Sequence, residues 1–192
     1  APGGGNAATI QVGGNLTTTT AAADATSAAI TLAFTGSNPQ NVSLFAGTQG
    51  HFNGPIVVNK SGGDITLSSS LILDQANQTL ALTSGVINTT AANYLHLVGN
   101  TVTYTGGSAA SYINGFIRKT GTTAFTFPTG NAGFYAPIHM AGTTAFAGAL
   151  PLNPGTGNAP TYQAQYIRSN PQVPFPNNAP QPTDGNTPAT VL

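Results

Sequence analysis

The sequence predicts an all-β protein: a short-stranded parallel β-solenoid in the N-terminal part, then a smaller β-sandwich-like part and a Pro-rich extended tail. Three observations lead there. The first is composition. Charged residues are Lys60, Arg118, Lys119 and Arg168 against Asp24, Asp64, Asp74 and Asp184, which is 4% of the 192 residues, with no Glu, Cys or Trp; an ordinary soluble domain carries about 25%. The usual solvent-facing helix residues are thus nearly missing, and the Thr, Ser and Asn in their place favour turns and caps over helix interiors. The second is a series of short period-2 apolar runs punctuated by Gly, Asn and Ser. The third is recurrence: Val58 to Leu82 and Leu73 to Leu97 are both spaced by 24 residues. A period in the low twenties marks stacked coils, none of which can bury its apolar side alone. Strands every 8–12 residues would also suit a sandwich, but the recurrence favours the solenoid.

The runs follow in order. Ile10 and Val12 alternate before the Gly13-Gly14-Asn15 turn, and Ile30, Leu32 and Phe34 alternate before Gly36-Ser37-Asn38-Pro39. Val42 and Leu44 follow, with breaks at Gly47 and Gly50; Ile56-Val57-Val58 ends at Asn59-Lys60-Ser61-Gly62-Gly63. Ile65 and Leu67, Leu71-Ile72-Leu73, Leu80 and Leu82, Val86-Ile87, Leu95 and Leu97, and Val102 and Tyr104 continue the series. These runs define a stacked-strand domain over residues 1–112. Most large aromatics lie beyond residue 100, and Phe125, Phe127, Phe134, Tyr135 and the Tyr162–Ile167 run suggest a sandwich-like domain over 113–170. Residues 171–192 carry Pro171, Pro174, Pro176, Pro180, Pro182 and Pro188. Proline lacks a ladder donor, so this segment reads as an extended arm or linker.

The same composition removes whole classes of function. Without basic clusters, nucleic-acid binding by phosphate neutralisation has nothing to work with. No apolar run approaches the ~20 residues of a membrane helix, so no membrane insertion is expected. Without Cys there is neither a disulfide framework nor a thiolate metal site. His51, His96 and His139 lack zinc-type spacing, and no Gly-x-Ser-x-Gly elbow occurs. Paired carboxylates for glycoside hydrolysis would have to come from four scattered Asp; Asp64 and Asp74 read better as turn or solvent-facing residues, and Lys60 near Asp64 as a local ion pair. His96, flanked by Leu95 and Leu97, should point out of its strand, and His139 reads as a hydrogen-bonded structural residue. No cofactor and no enzymatic activity are expected. Five Asn-x-Ser/Thr sequons, at Asn15, Asn41, Asn59, Asn77 and Asn88, are unsurprising in a chain so rich in these residues.

Several segments carry a family resemblance. Val57–Ser69, with its Asn-Lys-Ser-Gly-Gly-Asp turn, and Leu80–Thr89 resemble recurrent segments of large secreted, adhesin-like surface proteins of the Bacteroidota, of the type IX secretion cargo type. The more specific stretch runs from Gly106 to Ile138: Ser111-Tyr112-Ile113-Asn114-Gly115, Arg118-Lys119-Thr120-Gly121, Phe125-Thr126-Phe127-Pro128, Gly130, then Tyr135-Ala136-Pro137-Ile138. Tyr162-Gln163-Ala164-Gln165-Tyr166 is similar to a later strand of the same family. The likeness covers residues 50–171. It departs at Asn131-Ala132, where the family has a basic residue, and the family's C-terminal sorting domain is not visible. The resemblance implies an exported matrix or adhesin-like protein, here a processed product, a fragment or a small assembly subunit.

The expected function is therefore structural: an extracellular or cell-surface subunit of a filament, sheath or matrix, with copies of itself as partner. Zero net charge leaves little repulsion between copies, and an open solenoid end offers a ladder to extend. Ile10 and Val12 at one terminus and Val191 and Leu192 at the other are the candidate assembly residues. The alternative is a monomeric adhesin-like module binding surface glycans or another protein. Arg118 and Lys119 are then candidate anion or ligand contacts; otherwise they form a solvated strand edge, where Lys also discourages pairing.

Overall fold

The computed structural model describes residues 8–18, 30–44, 50–142 and 161–167. Asp24, Arg168, Asp184, Val191, Leu192 and the Pro-rich arm lie outside the described residues. Nineteen strands and no helix make up the described part. They are β1 (Ala8–Val12), β2 (Leu16–Thr18), β3 (Ile30–Phe34), β4 (Gln40–Leu44), β5 (Gly50–His51), β6 (Ile56–Asn59), β7 (Ile65–Leu67), β8 (Leu71–Leu73), β9 (Thr79–Ser84), β10 (Ile87–Asn88), β11 (Leu95–Val98), β12 (Thr103–Gly106), β13 (Ile113–Asn114) and β14 (Ile117–Thr120). Five more follow: β15 (Phe125–Phe127), β16 (Gly130–Asn131), β17 (Phe134–Tyr135), β18 (Ile138–Met140) and β19 (Thr161–Ala164).

The first fourteen strands wind as a β-solenoid with three faces. Sheet A stacks β1-β3-β6-β9-β12, sheet B stacks β2-β4-β7-β10-β13, and sheet C stacks β5-β8-β11-β14, every pair parallel. Three strands per coil give four complete coils, β3–β5, β6–β8, β9–β11 and β12–β14, preceded by β1 and β2. The 24-residue recurrence read from the sequence is the ladder itself: Val58 pairs with Leu82 and Leu73 with Leu97.

In-register stacking makes each inward position a continuous rank. Sheet A supplies Ile10-Leu32-Ile56-Leu80-Tyr104 and Val12-Phe34-Val58-Leu82-Gly106. Sheet B supplies Gln40-Ile65-Ile87-Ile113, and sheet C Leu71-Leu95-Ile117 beside Leu73-Leu97-Lys119. Burial follows the ranks: Val58, Leu73, Leu80, Leu95, Leu97, Ile113 and Ile117 have no exposed surface. The three rows of branched aliphatic side chains meet in one apolar column.

The coil continues past residue 112. β13 and β14 extend sheets B and C in the same parallel register, so the change of texture in the sequence does not end the solenoid. Where a sandwich-like part was expected, two small antiparallel pairs, β15–β18 and β16–β17, follow the last coil. They close the column. The Phe125 ring packs edge-on against Tyr104 and against Phe127, with centroids 5.7 and 5.0 Å apart. β19 then pairs antiparallel with β14 and covers the last edge of sheet C.

The other end is open. Ile10 occupies an inward rank yet is 46% exposed, because among the described residues no strand stacks beyond β1. Among the described residues, the column therefore has an aromatic lid at one end and an uncovered apolar rank at the other.

The ranks predict a sharp asymmetry in mutational sensitivity. Leu97→Ala, in mid-column, should lower unfolding free energy by about 2–5 kcal/mol, as buried Leu truncations do. Ile10→Ala should lower it by less than about 1 kcal/mol, since half the side chain already meets water. Urea unfolding of both variants checks this, and equal losses would contradict the open end.

Candidate functional site

At each corner the chain leaves a sheet, and carbonyls turn inward with no strand partner. A buried carbonyl without a donor is costly. This chain supplies donors from long polar side chains folded into the column. Gln40, 2% exposed, donates through Nε2 to Val12 O (2.7 Å) and Gly14 O (3.0 Å) at the corner of the preceding coil. Gln78 does the same to Phe52 O and Gly54 O one coil earlier. Ser70 donates to Ala92 O, and Ser111 donates to Gly85 O.

The two central lysines belong to the same set. Lys60 is 2% exposed, and its Nζ donates to Asn38 O and Gln40 Oε1, both at 2.9 Å, and to Thr35 O at 3.5 Å. The expected surface ion pair with Asp64 is not formed; all three ammonium protons are directed at the preceding coil. Lys119 is 1% exposed and stands in the leucine rank above Leu97. Its Nζ donates to Gly99 O (2.6 Å) and Val102 O (2.5 Å), 5.0 Å from the Phe125 ring centroid. The expectation of a solvated edge or a ligand contact at Lys119 is thereby corrected: alternation from the buried Ile117 sends Arg118 outward and Lys119 inward. Burial holds the Lys119 ammonium down to about 8 from the ordinary 10.5 and lowers Lys60 as well, against the opposing pull of Asp64.

Arg118 does face outward on sheet C. Its guanidinium lies 3.6 Å over the Tyr94 ring, and Nε donates to Gln163 Oε1 at 2.7 Å. These contacts tie β19 to the last coil, a structural use for the residue proposed as an anion contact. His96, its neighbour in the outward rank, is bonded to Thr120 Oγ1 at 2.7 Å and is held below the usual histidine range by burial, with Arg118 and Lys119 adding to it. His139 meets Thr126 Oγ1 at 3.0 Å, and His51 Nδ1 meets Asp74 at 2.8 Å.

Sheet B carries a third arrangement that sequence reading missed. Asn131 donates to Asn114 (2.9 Å), Asn114 to Asn88 (2.8 Å), and Asn88 to the Asp64 carboxylate (3.1 Å). Every amide points the same way, and the chain ends on a carboxylate, the strongest acceptor available. A recurrence of Asn at the outward B positions 88 and 114 was the available signal.

Among the described residues no three His, Asp or Glu side chains gather as for a metal ion, and no helix is long and apolar enough to cross a membrane. What the geometry offers instead is surface. Among the described residues the exposed large apolar side chains are Ile10 at the open end, Phe134 and Ile138 in the hairpins of the lid, and Ile167 just after β19. The side faces of the coil have none among the described residues. Of the assembly residues named from sequence, Ile10 and Val12 therefore sit at the cut end of the column, Ile10 exposed and Val12 half-buried.

Comparison of the chain with protein-family models, curated proteins and solved structures finds no match.

Two predictions follow from the corner chemistry. Gln78→Leu keeps the volume but strands two inward carbonyls, and should destabilise the fold by about 1–3 kcal/mol in urea titration. For Lys119, the unfolded chain binds more protons than the folded one between the folded value of about 8 and the free value of 10.5. Stability must therefore rise with pH across that window, by at most about 1.4 kcal/mol per pH unit for one proton. Above pH 10 the Tyr104 hydroxyl, raised by burial and by Tyr135, acts in the opposite sense. Urea midpoints between pH 7 and 9.5 should climb in the parent and climb less steeply in Lys119→Met, where Lys60 alone still contributes.

Proposed function

We propose that this chain is an extracellular structural subunit that assembles end to end with copies of itself into a filament or surface matrix. The observation that carries this reading is the placement of exposed apolar side chains. Among the described residues they lie at the two ends of the coil, Ile10 at one and Phe134, Ile138 and Ile167 at the other, while the flanks expose no large apolar side chain. Ile10 is a core residue by rank, so an apolar layer stacked on it would complete the column. The two ends differ in structure, and a contact between unlike surfaces repeats without closing on itself unless a rotation brings it round to a ring.

Charge supports the same reading. Net charge is zero, so copies meet without the long-range repulsion that keeps most proteins apart. Unpaired strand edges ordinarily invite such pairing and are guarded by charge. The nearest charge to the edge of β1 by sequence is Asp24, and β1 itself has none. The extracellular setting rests on the resemblance of residues 50–171 to repeat segments of secreted surface proteins.

Sedimentation velocity across a concentration series, with negative-stain microscopy of the same samples, tests the proposal. Polymers should grow with concentration and persist at high salt, since screening has little to remove. Ile10→Lys places a charge in the end contact and should leave a folded monomer, with unchanged circular dichroism. A parent protein that stays monomeric at every concentration, or an Ile10→Lys variant that polymerises as well as the parent, would overturn it.

A further inference from the structure

The corner between sheets A and B carries a feature that end-to-end assembly does not use. A groove of about 430 Å³ runs along it, from the Ser61–Asp64 turn past Ser84–Val86 to Ala109-Ala110, ending at Asn114 and the Ala132-Gly133 turn. That volume lies within the range of small-ligand sites. Its length follows from the coils it crosses: three successive corners and the lid, about 4.8 Å per step, or roughly 15 Å. It is a slot for an elongated molecule lying parallel to the column axis.

Its floor exists because side chains are missing there. Gly62, Gly63, Gly85, Ala109 and Ala110 form the corners of three coils. Gly85 has φ +109°, and a Cβ on it would meet the Lys60 stem at 3.1 Å, so the middle of the floor is held bare by the buried lysine beneath.

The chemistry of the lining is selective. Lys60 lies under the floor, but its ammonium is directed at Thr35 O, Asn38 O and Gln40 Oε1 and offers nothing to a ligand. The exposed charge in the groove is the Asp64 carboxylate, fixed by the amide chain Asn131→Asn114→Asn88→Asp64. Asn114 and Ser84 add uncharged polar groups, while Val86, Ala109 and Ala110 add small apolar contacts. A carboxylate with no free cation repels sulfated, phosphorylated and uronic chains. It accepts hydroxyl donors. A chain of sugar rings is elongated, repeats on nearly the coil spacing and presents hydroxyls that both donate and accept.

We infer that this groove binds a neutral, hydroxyl-rich oligosaccharide of about three rings, with Asp64 and Asn114 as its polar anchors. The stretch of the groove from Ser61 to Ala110 is on the flank, away from the end contact, so it stays open in a monomer or an end-to-end polymer, and the site stands or falls separately from the assembly proposal.

The test is isothermal calorimetry of the full chain with cellotriose, maltotriose, xylotriose and chitotriose, alongside a sulfated trisaccharide and a tri-lysine peptide. At least one neutral trisaccharide should bind, and the sulfated one should not. Ala110→Trp, at an exposed corner position, should fill the slot and weaken binding at least tenfold. Asp64→Asn keeps an acceptor for Asn88 and should weaken binding several-fold. Thermal melts of both variants should match the parent, and Ile10→Lys should bind as the parent does. No binding by any neutral trisaccharide, binding indifferent to Ala110→Trp, or binding of tri-lysine alone would overturn the inference.

Discussion

In-register parallel stacking is the constraint on which the rest of this molecule depends. Each side chain sits about 4.8 Å from the residue at the same position of the next coil. Aliphatic groups gain from that proximity, and stacked amides and hydroxyls bond along the rank. Like charges at that spacing repel. A charge repeated at the same position of successive coils would therefore meet a like neighbour. The scarcity of charge is thus tied to the architecture. The charges that do occur are mostly isolated: Asp64 lies against an amide, and Asp74 against His51.

The two buried lysines show how the same constraint uses a cation. A solenoid corner must turn carbonyls away from the sheets, and something has to donate to them. Glutamine does this at Gln40 and Gln78, and lysine at Lys60 and Lys119. All four turn their polar ends into the column. Each fastens one coil to the corner of the coil before it, and Lys119 also seats the Phe125 lid. Capping at the C-terminal end thereby combines an aromatic pair, an ammonium stem and an antiparallel strand, while at the opposite end no described strand stacks beyond β1.

Much of the fold was legible in the sequence. Branched aliphatics alternating in short runs with a 24-residue recurrence point to stacked coils, and two of the predicted rank neighbours, Val58 with Leu82 and Leu73 with Leu97, are ladder partners. Lys60 and Lys119 were read by charge instead of by rank, which is why both were placed in solvent. Counting on from Leu97 along its rank reaches Lys119, and that count would have buried it. Ile113 and Ile117 continue the ranks beyond residue 112, but they stand among aromatics that belong to the lid, so the sequence does not mark where the coil ends. The groove was illegible for a different reason. It is assembled from corners some 24 residues apart, and its floor is defined by absent side chains, so no local motif marks it.

In the proposed assembly the column of one copy is continued by the next. That continuation is tested most directly by X-ray diffraction from an oriented, hydrated sample of the assembled protein. Strands that run across the column stack along its axis, so end-to-end continuation places a reflection at 4.7–4.9 Å along the filament axis. That reflection on the meridian is the predicted result. The same spacing found only on the equator would mean that the columns lie across the filament, and would contradict the account.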